Sequence, residues 1–440
     1  MARNVVSSGY RAYVLFILIV VYTFNFIDRQ IVGILAVPIK AELALTDTQL
    51  SLMGGLAFAL FYTFLGIPIA WLADRFSRVW IMTAALTVWS GMTALCGFAQ
   101  NFGQLFLARL GVGVGEAGGV APAYSLISDY FPSQQRARAL SVYSFGIPIG
   151  GATGIVLGGV LTDIIGWRSA FIIVGLCGIL IAPIFRLTVR EPVRGGLDPQ
   201  GADTAPAPIR AVVAKLVSKP SFWVLSFGAA SSSMMGYGLI FWLPSFFVRS
   251  FGDALPQFFS WLPGAMVPEN ASIVLYASYF YGSLLLIGGL AGIWLGGMLA
   301  DKFGQKSKSA YALVPAWAFV ASVPCFVVGV MTESLSVAFI MFLVPTALSL
   351  VWLGPVLSAF QHLVPPNMRA TSSSIFLFIN NLIGIGLGNL IIGLLSDFLS
   401  SQYGDESLRY AILSGTVFYL LAAAMFFIAA PRLQGDWEGA

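Results

Sequence analysis

The sequence predicts an all-α polytopic membrane protein, with twelve transmembrane helices in two pseudo-symmetric six-helix bundles. Three observations carry this. The 440 residues are 58% hydrophobic and only 10% charged, where a soluble chain carries about 25% charged residues. Apolar runs long enough to span a bilayer recur twelve times, and short motifs return in the same order in the two halves. The mean hydropathy, +0.87, fits the same picture.

The runs come first. A hydrocarbon core of about 30 Å needs roughly 20 apolar residues of helix. Such runs lie at approximately 12–36, 48–72, 79–99, 103–127, 138–162, 168–187, 221–248, 273–299, 309–331, 334–361, 370–396 and 407–430. They are continuous, not alternating, which points to helices instead of a barrel. The first run is too long for a signal-peptide core and holds Asp28 and Arg29, so it reads as a span. Cys96, Cys177 and Cys325 lie apart in apolar runs and imply neither a disulfide nor a metal framework.

Orientation follows from lysine and arginine. With the N-terminus in the cytoplasm, seventeen of the 23 fall on inner segments. Only Lys40, Arg168, Arg249 and Arg409 fall outside, and Arg29 and Arg109 lie within the membrane. The positive-inside rule then puts both termini in the cytoplasm. The net charge of +4 gives no case for nucleic acid.

The halves repeat. "LADRF" (72–76) returns as "LADKF" (299–303), "PSQQRA" (132–137) as "PPNMRA" (365–370), and "GVLTD" (159–163) as "GLLSD" (393–397). This predicts an N-terminal six-helix bundle at 1–190, a cytoplasmic linker at 191–220 and a C-terminal bundle at 221–440. The linker is rich in Pro, Gly and Ala, as in "VRGGLDPQGADTAPAPIR" (193–210). The aromatic outer connection at 249–272 reads as an interfacial segment. A duplicated six-helix unit is a signature of secondary transporters.

Four charges are intramembrane: Asp28 and Arg29 on the first helix, Arg109 and Glu116 on the fourth. Charges at that depth are costly unless paired or hydrated, so they mark an ion or substrate path. Adjacent residues on a helix point about 100° apart, so Asp28 and Arg29 each need a partner elsewhere. Arg109 and Glu116 share a face, two turns and roughly 10 Å apart. A network of Asp28, Arg109 and Glu116, joined by Arg29, is the economical arrangement. A carboxylate in such a network can be neutralised by a proton, which is the requirement for proton coupling. The alternative is a purely structural lock between the two helices. Glycines 111, 113, 115, 118 and 119 support close helix approach there.

"WLADRFSR" (71–78) and "GMLADKFGQK" (297–306) resemble the loop signature of the major facilitator superfamily, although Ala70 and Ser77 replace its usual glycines in the first copy. "RLGVGVGEAG" (109–118) resembles the fourth-helix motif of proton-coupled members. "FGIPIGGATGIVLGG" (145–159) is similar to the antiporter glycine motif but lacks its Gly-Pro pair, which leaves antiport and symport both open. "NFIDR" in the first helix, with "GVGVGEAGGVAPAYSLISDYFP" (111–132), looks like the Spinster subfamily. That resemblance implies the major facilitator fold and a proton-linked carrier of lysophospholipids or sphingolipid-type cargo. Drugs or other amphiphiles remain open as cargo. It also implies a bacterial-type protein of the inner membrane.

The resemblance gives gating roles to Asp74, Arg75, Arg78, Asp301 and Lys302, with Arg136 and Arg369 as partners. Proton coupling falls to Asp28 and Glu116, with Arg109 as counter-charge. Arg109 has Glu116 on its own face, so Arg29 is the candidate cation for a cargo phosphate. Tyr237, Trp242, Asn380 and Asn381 are candidate cavity residues, although packing is the ordinary role of any single aromatic. His362 reads as a capping or surface residue.

The expected chain is a monomer among membrane lipids, with an amphiphilic cargo, no cofactor beyond protons, and no metal. An intramembrane lipid enzyme would need a nucleophile or metal, and the sole histidine is peripheral. A non-transporting scaffold would have no need of the buried charges. A proton antiporter of drugs or small organic solutes is the alternative within the same fold.

Overall fold

The computed structural model describes residues 7–73, 75–193, 208–264, 266–268, 270–304, 307–365 and 368–437. Among these residues the chain is helical, with no strand. The first six spans use α1 (Ser8–Leu43), α2 (Asp47–Ser51), a π turn (Leu52–Leu56), α3 (Ala57–Ala73), α4 (Arg78–Cys96), α5 (Phe102–Glu116), α6 (Val120–Tyr130), α7 (Ser133–Ser144) and α8 (Gly146–Thr188). A short helix, α9 (Ile209–Val217), precedes the second set. That set comprises α10 (Pro220–Phe251), α11 (Ala254–Phe258), α12 (Ile273–Gly304), α13 (Ala310–Met331), α14 (Leu335–Leu348), α15 (Leu353–His362), α16 (Arg369–Tyr403), α17 (Ser407–Gly415) and α18 (Val417–Asp436).

Nine helical stretches among the described residues are long and apolar enough to cross a membrane. Two of them, Val142–Thr188 and Thr371–Asp436, each hold two spans. The break in the first is Gly166, with φ 80° and ψ 161°, a conformation open essentially to glycine alone. α5 and α6, broken at Ala117–Gly119, together supply one more span. The count of twelve spans therefore holds. Large apolar side chains such as Trp294 and Phe398 stand exposed on the surface, as expected of faces that meet lipid. The chain is an integral multi-pass membrane protein.

Contacts divide the chain into two compact units. One is Met1–Leu45 with Ala57–Ala202, the other Thr46–Leu56 with Asp203–Ala440. In the first unit α1 packs on α8, α4 on α5 and α8, and α3 on α5. In the second α10 packs on α16, α13 on α14 and α18, and α12 on α14. Counted by span, the two lists are the same. The duplication seen in the motifs is thus also a duplication of packing.

The Thr46–Leu56 segment packs on α16. Thr46 opens α2 with a capping box closed by Gln49, which satisfies two otherwise orphaned backbone donors.

Candidate functional site

The first unit gathers its intramembrane charges where α1, α4 and α5 meet. α5 is brought close by glycine. A methyl on Gly113 would stand 2.7 Å from the Phe58 carbonyl oxygen, and one on Gly115 2.5 Å from the Trp89 nitrogen. These two positions lie between Arg109 and Glu116, so the side chains that flank them are driven into the helix junction. Asp28, Arg109 and Glu116 are all buried, at 2%, 1% and 0% exposure.

The pairing follows from reach. Arg29 Nε donates to Glu116 Oε2 at 2.6 Å. Its guanidinium also lies 5.1 Å from the Phe26 ring, 4.8 Å from Phe58 and 4.7 Å from Tyr62, so three aromatic faces surround a partly buried cation. Asp28 Oδ1 accepts from the Thr93 hydroxyl at 2.6 Å. Arg109, Glu116 and Arg29 all lie close enough to Asp28 to act on it electrostatically. Arg109 Nε and Nη1 make no hydrogen bond among the described residues. Asn25 lies against Glu116 without a well-aligned hydrogen bond.

All four charges come together, as the sequence predicts, but the allocation differs. Glu116 is held by Arg29 of α1, not reserved for Arg109 on its own helix. The reason is geometric: two turns along α5 is roughly 10 Å of rise, beyond direct contact, while the long Arg29 side chain reaches Glu116 from α1.

At the other candidate positions the placements are varied. Arg78 is buried and bonds Asp129, Ser125 Oγ at 2.8 Å and Glu191 Oε1 at 2.7 Å. Glu191 also accepts from Ser77 Oγ at 2.8 Å and the Val79 N–H at 3.0 Å. Partial burial would raise the Glu191 carboxyl, but the Val79 N–H, Arg78 and Ser77 outweigh it and hold it below its ordinary value. Arg75 is exposed, with its guanidinium 3.7 Å from the Trp71 ring. The Lys302 ammonium lies 5.9 Å from the Phe303 ring. Asp74 lies outside the described residues, and so do the side chains of Arg136, Asp301 and Arg369.

In the second unit, Trp242 is fully buried and its indole N–H donates to the Asn389 carbonyl at 3.2 Å. Its polar edge is therefore used between α10 and α16 and is not presented on a surface. Asn380 accepts from Ser233 Oγ at 2.8 Å and reaches Asn381 at 3.5 Å. Tyr237 and Asn381 are half-buried. His362 is exposed, bonded to the Ser358 carbonyl at 2.8 Å and stacked on Trp437.

The family model of the Major Facilitator Superfamily matches residues 18–388. The chain belongs to the Major Facilitator Superfamily. It is 30% identical to an "MFS-type efflux pump" of Mycolicibacterium smegmatis, over 96% of this chain and 92% of that one. It is 27% identical to "Sphingosine-1-phosphate transporter SPNS2" of Danio rerio, over 92% of this chain and 81% of that one. A solved structure titled a bacterial homolog to the human lysosomal transporter Spinster, inward-facing and unoccupied, shares 33% identity at a TM-score of 0.86. It covers 99% of this chain and 100% of that one. The Spinster resemblance of the helix-1 and helix-4 motifs is thereby borne out. As a member of this superfamily the chain is a transporter and not an enzyme.

Three features of this transporter were not singled out from sequence. Thr93 was one of many hydroxyls in an apolar run. Asp129 and Glu191 lie 51 and 113 residues from Arg78 in the chain, so nothing local ties them to it. The third is a polar cluster in the second unit. Asp397 accepts from the Asp47 N–H at 3.1 Å, the Thr48 N–H at 2.8 Å and the Thr48 hydroxyl. Asp47 takes Arg249 in a two-pronged pair, at 2.9 and 2.7 Å, and Ser396 Oγ at 2.7 Å. A carboxylate at a helix N-terminus is favoured by the exposed N–H groups and the dipole. The repeat "GLLSD" had marked Asp397 without giving it a task.

Proposed function

We propose that this transporter is a proton-coupled secondary carrier that works by alternating access and moves a lysophospholipid, a sphingolipid-type molecule or a similar amphiphile. The observation that carries the reading is the buried junction in which Asp28 meets Thr93 and Arg29 meets Glu116. Two acids and two cations inside a membrane helix bundle are formally neutral. Adding a proton to either acid leaves a cation without its counter-charge, and that imbalance can drive a rearrangement. No other cofactor is needed in this scheme.

The cargo class is supported by the relative named a sphingosine-1-phosphate transporter. In this reading Arg29 serves a cargo phosphate by exchanging Glu116 for it, because a guanidinium bonds carboxylate and phosphate with the same fork. Asn380, Asn381 and Tyr237 contribute uncharged contacts to the cargo. Asp74, Arg75, Arg78, Asp301 and Lys302, with Arg136 and Arg369, act as inner gating groups. The protein works as a monomer in a bacterial inner membrane with both termini in the cytoplasm.

A second reading is favoured by the relative named an efflux pump: proton antiport of drugs or small organic solutes. One experiment addresses both. Purified protein in liposomes is given an imposed proton gradient and either a labelled lysophospholipid or a labelled lipophilic drug. Gradient-dependent uptake of the lysolipid supports the first reading, and uptake of the drug alone supports the second. Flux indifferent to the gradient overturns proton coupling.

A further inference from the structure

We infer that Thr93 is a positioning residue for proton exchange at Asp28. Its hydroxyl is the group that keeps the buried carboxyl bonded in both protonation states. The inference rests on the proton-coupled reading and adds a residue to it.

The helix that carries Thr93 supplies the comparison. In α4, Thr83 Oγ1 donates to the Val79 carbonyl at 2.7 Å and Thr87 Oγ1 to the Thr83 carbonyl at 2.9 Å. Back-bonding to the carbonyl four residues earlier is the ordinary fate of a threonine in an apolar helix. Thr93 departs from it. Its single O–H crosses to α1 and donates to Asp28 at 2.6 Å. The residue is fully buried and Asp28 is 2% exposed, so water does not substitute readily for either group.

The chemistry of the partners differs. A guanidinium has only donors, so Arg109 cannot accept the O–H that Asp28 gains on protonation. A hydroxyl has one donor and two acceptor lone pairs. Rotated about its C–O bond, it can donate to the carboxylate or accept from the carboxylic acid. Thr93 therefore lets Asp28 change protonation without stranding a buried polar group, which would otherwise be costly.

The other groups around Asp28 do not duplicate this. Arg109 and Glu116 face it from α5, Cys96 from α4, and Arg29 from its own helix. The packed face of α8 meets α1 through small residues, such as Gly154 against the Ile27 backbone, and contributes no charge acting on Asp28 among the described residues.

The test is pH-dependent infrared difference spectroscopy on the purified full-length protein. It reads the C=O stretch of a protonated carboxyl and needs no cargo. The band that disappears in Asp28→Asn belongs to Asp28. Thr93→Val keeps the shape and removes the hydroxyl, and Thr93→Ala removes it with less bulk, should valine disturb folding. The expected result is that both variants shift the frequency of the Asp28 band and displace its titration midpoint by about half a pH unit or more, roughly threefold in proton affinity. Thr93→Ser should restore both to wild type. An unchanged band and midpoint in Thr93→Val or Thr93→Ala overturns the role of Thr93 while leaving Asp28 as the proton site. A wild-type protein in which Asp28→Asn removes no titrating band overturns the proton-coupled reading and this inference together.

Discussion

The two units are built on one packing pattern, yet their interiors are chemically unlike. The first holds Asp28, Arg29, Arg109 and Glu116 at the junction of α1, α4 and α5. Along α10 and α16 the second holds Ser231, Ser232, Ser233, Asn380, Asn389 and Trp242, all neutral and all buried. The second unit places its buried charge pair elsewhere, at Asp47 and Arg249. Duplication supplied one scaffold, and its halves have since diverged in the kind of polarity they enclose. Charge can be switched by a proton, whereas amides and hydroxyls at physiological pH cannot. On the proposed reading, energy coupling falls to the first unit and neutral contacts to the second.

The largest expected effect tests that assignment directly. Asp28→Asn and Glu116→Gln keep side-chain shape and remove the titrating group. Each should insert and fold, and lose proton-driven flux by about 100-fold or more, the scale on which essential proton-transfer groups act. Liposome flux under an imposed gradient measures this. Wild-type flux in both variants would break the comparison, because the charges would then be structural.

The second effect concerns the charge pair of the second unit. Arg249→Ala leaves Asp47 buried, with its own N–H engaged by Asp397 and the Ser396 hydroxyl as a remaining donor. Removing one partner of a buried pair costs about 3–5 kcal/mol, and partial exposure of Arg249 places the expectation at the lower end. Thermal unfolding in detergent should show a clear loss of stability. No loss would mean that packing and the Asp397 and Ser396 hydrogen bonds hold Thr46–Leu56 without the Arg249 pair.

A third effect separates a phosphate role from a network role at Arg29. Arg29→Lys keeps charge and loses the fork, so flux of a phosphorylated lysolipid should fall by about tenfold while its unphosphorylated counterpart is spared. Arg29→Ala should weaken the phosphorylated cargo further. Equal loss for both cargo types would make Arg29 solely the partner of Glu116.

The fold was legible because lipid imposes a coarse rule. Twelve apolar runs, the lysine and arginine bias and three repeated motifs needed no tertiary information. The four intramembrane charges were legible for the same reason, since an acid or base in an apolar run stands out. Their pairing was not. Arg29 is 87 residues from Glu116 in the chain, and only the rise along α5 separates Arg109 from the acid on its own face. Thr93 was hidden by its chemistry, because a threonine in a membrane helix usually bonds its own backbone. Glu191 was hidden by position. It sits just past the end of α8, where a charge looks solvated, yet it holds three donors of the α4 start. Being held below its ordinary value in the folded state, its carboxyl contributes stability at neutral pH that is lost as the pH falls through and below the usual carboxylate range.

The smallest effect sharpens the neutral half of the comparison. Trp242→Phe preserves the buried ring and deletes the N–H that reaches the Asn389 carbonyl at 3.2 Å. That carbonyl also accepts the Ser51 hydroxyl at 2.8 Å, so it is not stranded by the change. The cost should therefore be about 0.5–1.5 kcal/mol, the net worth of one hydrogen bond. Thermal unfolding should register it, and the proton dependence of flux should stay as in wild type, because no titrating group has been touched. Ser51→Ala should behave alike, and the double variant should lose about the sum of the two, since the Asn389 carbonyl lies inside α16 and keeps its intrahelical donor. If Trp242→Phe instead changes which cargo is carried while stability is intact, the indole contacts the cargo during the cycle, and Trp242 belongs to the transport path as the sequence predicts.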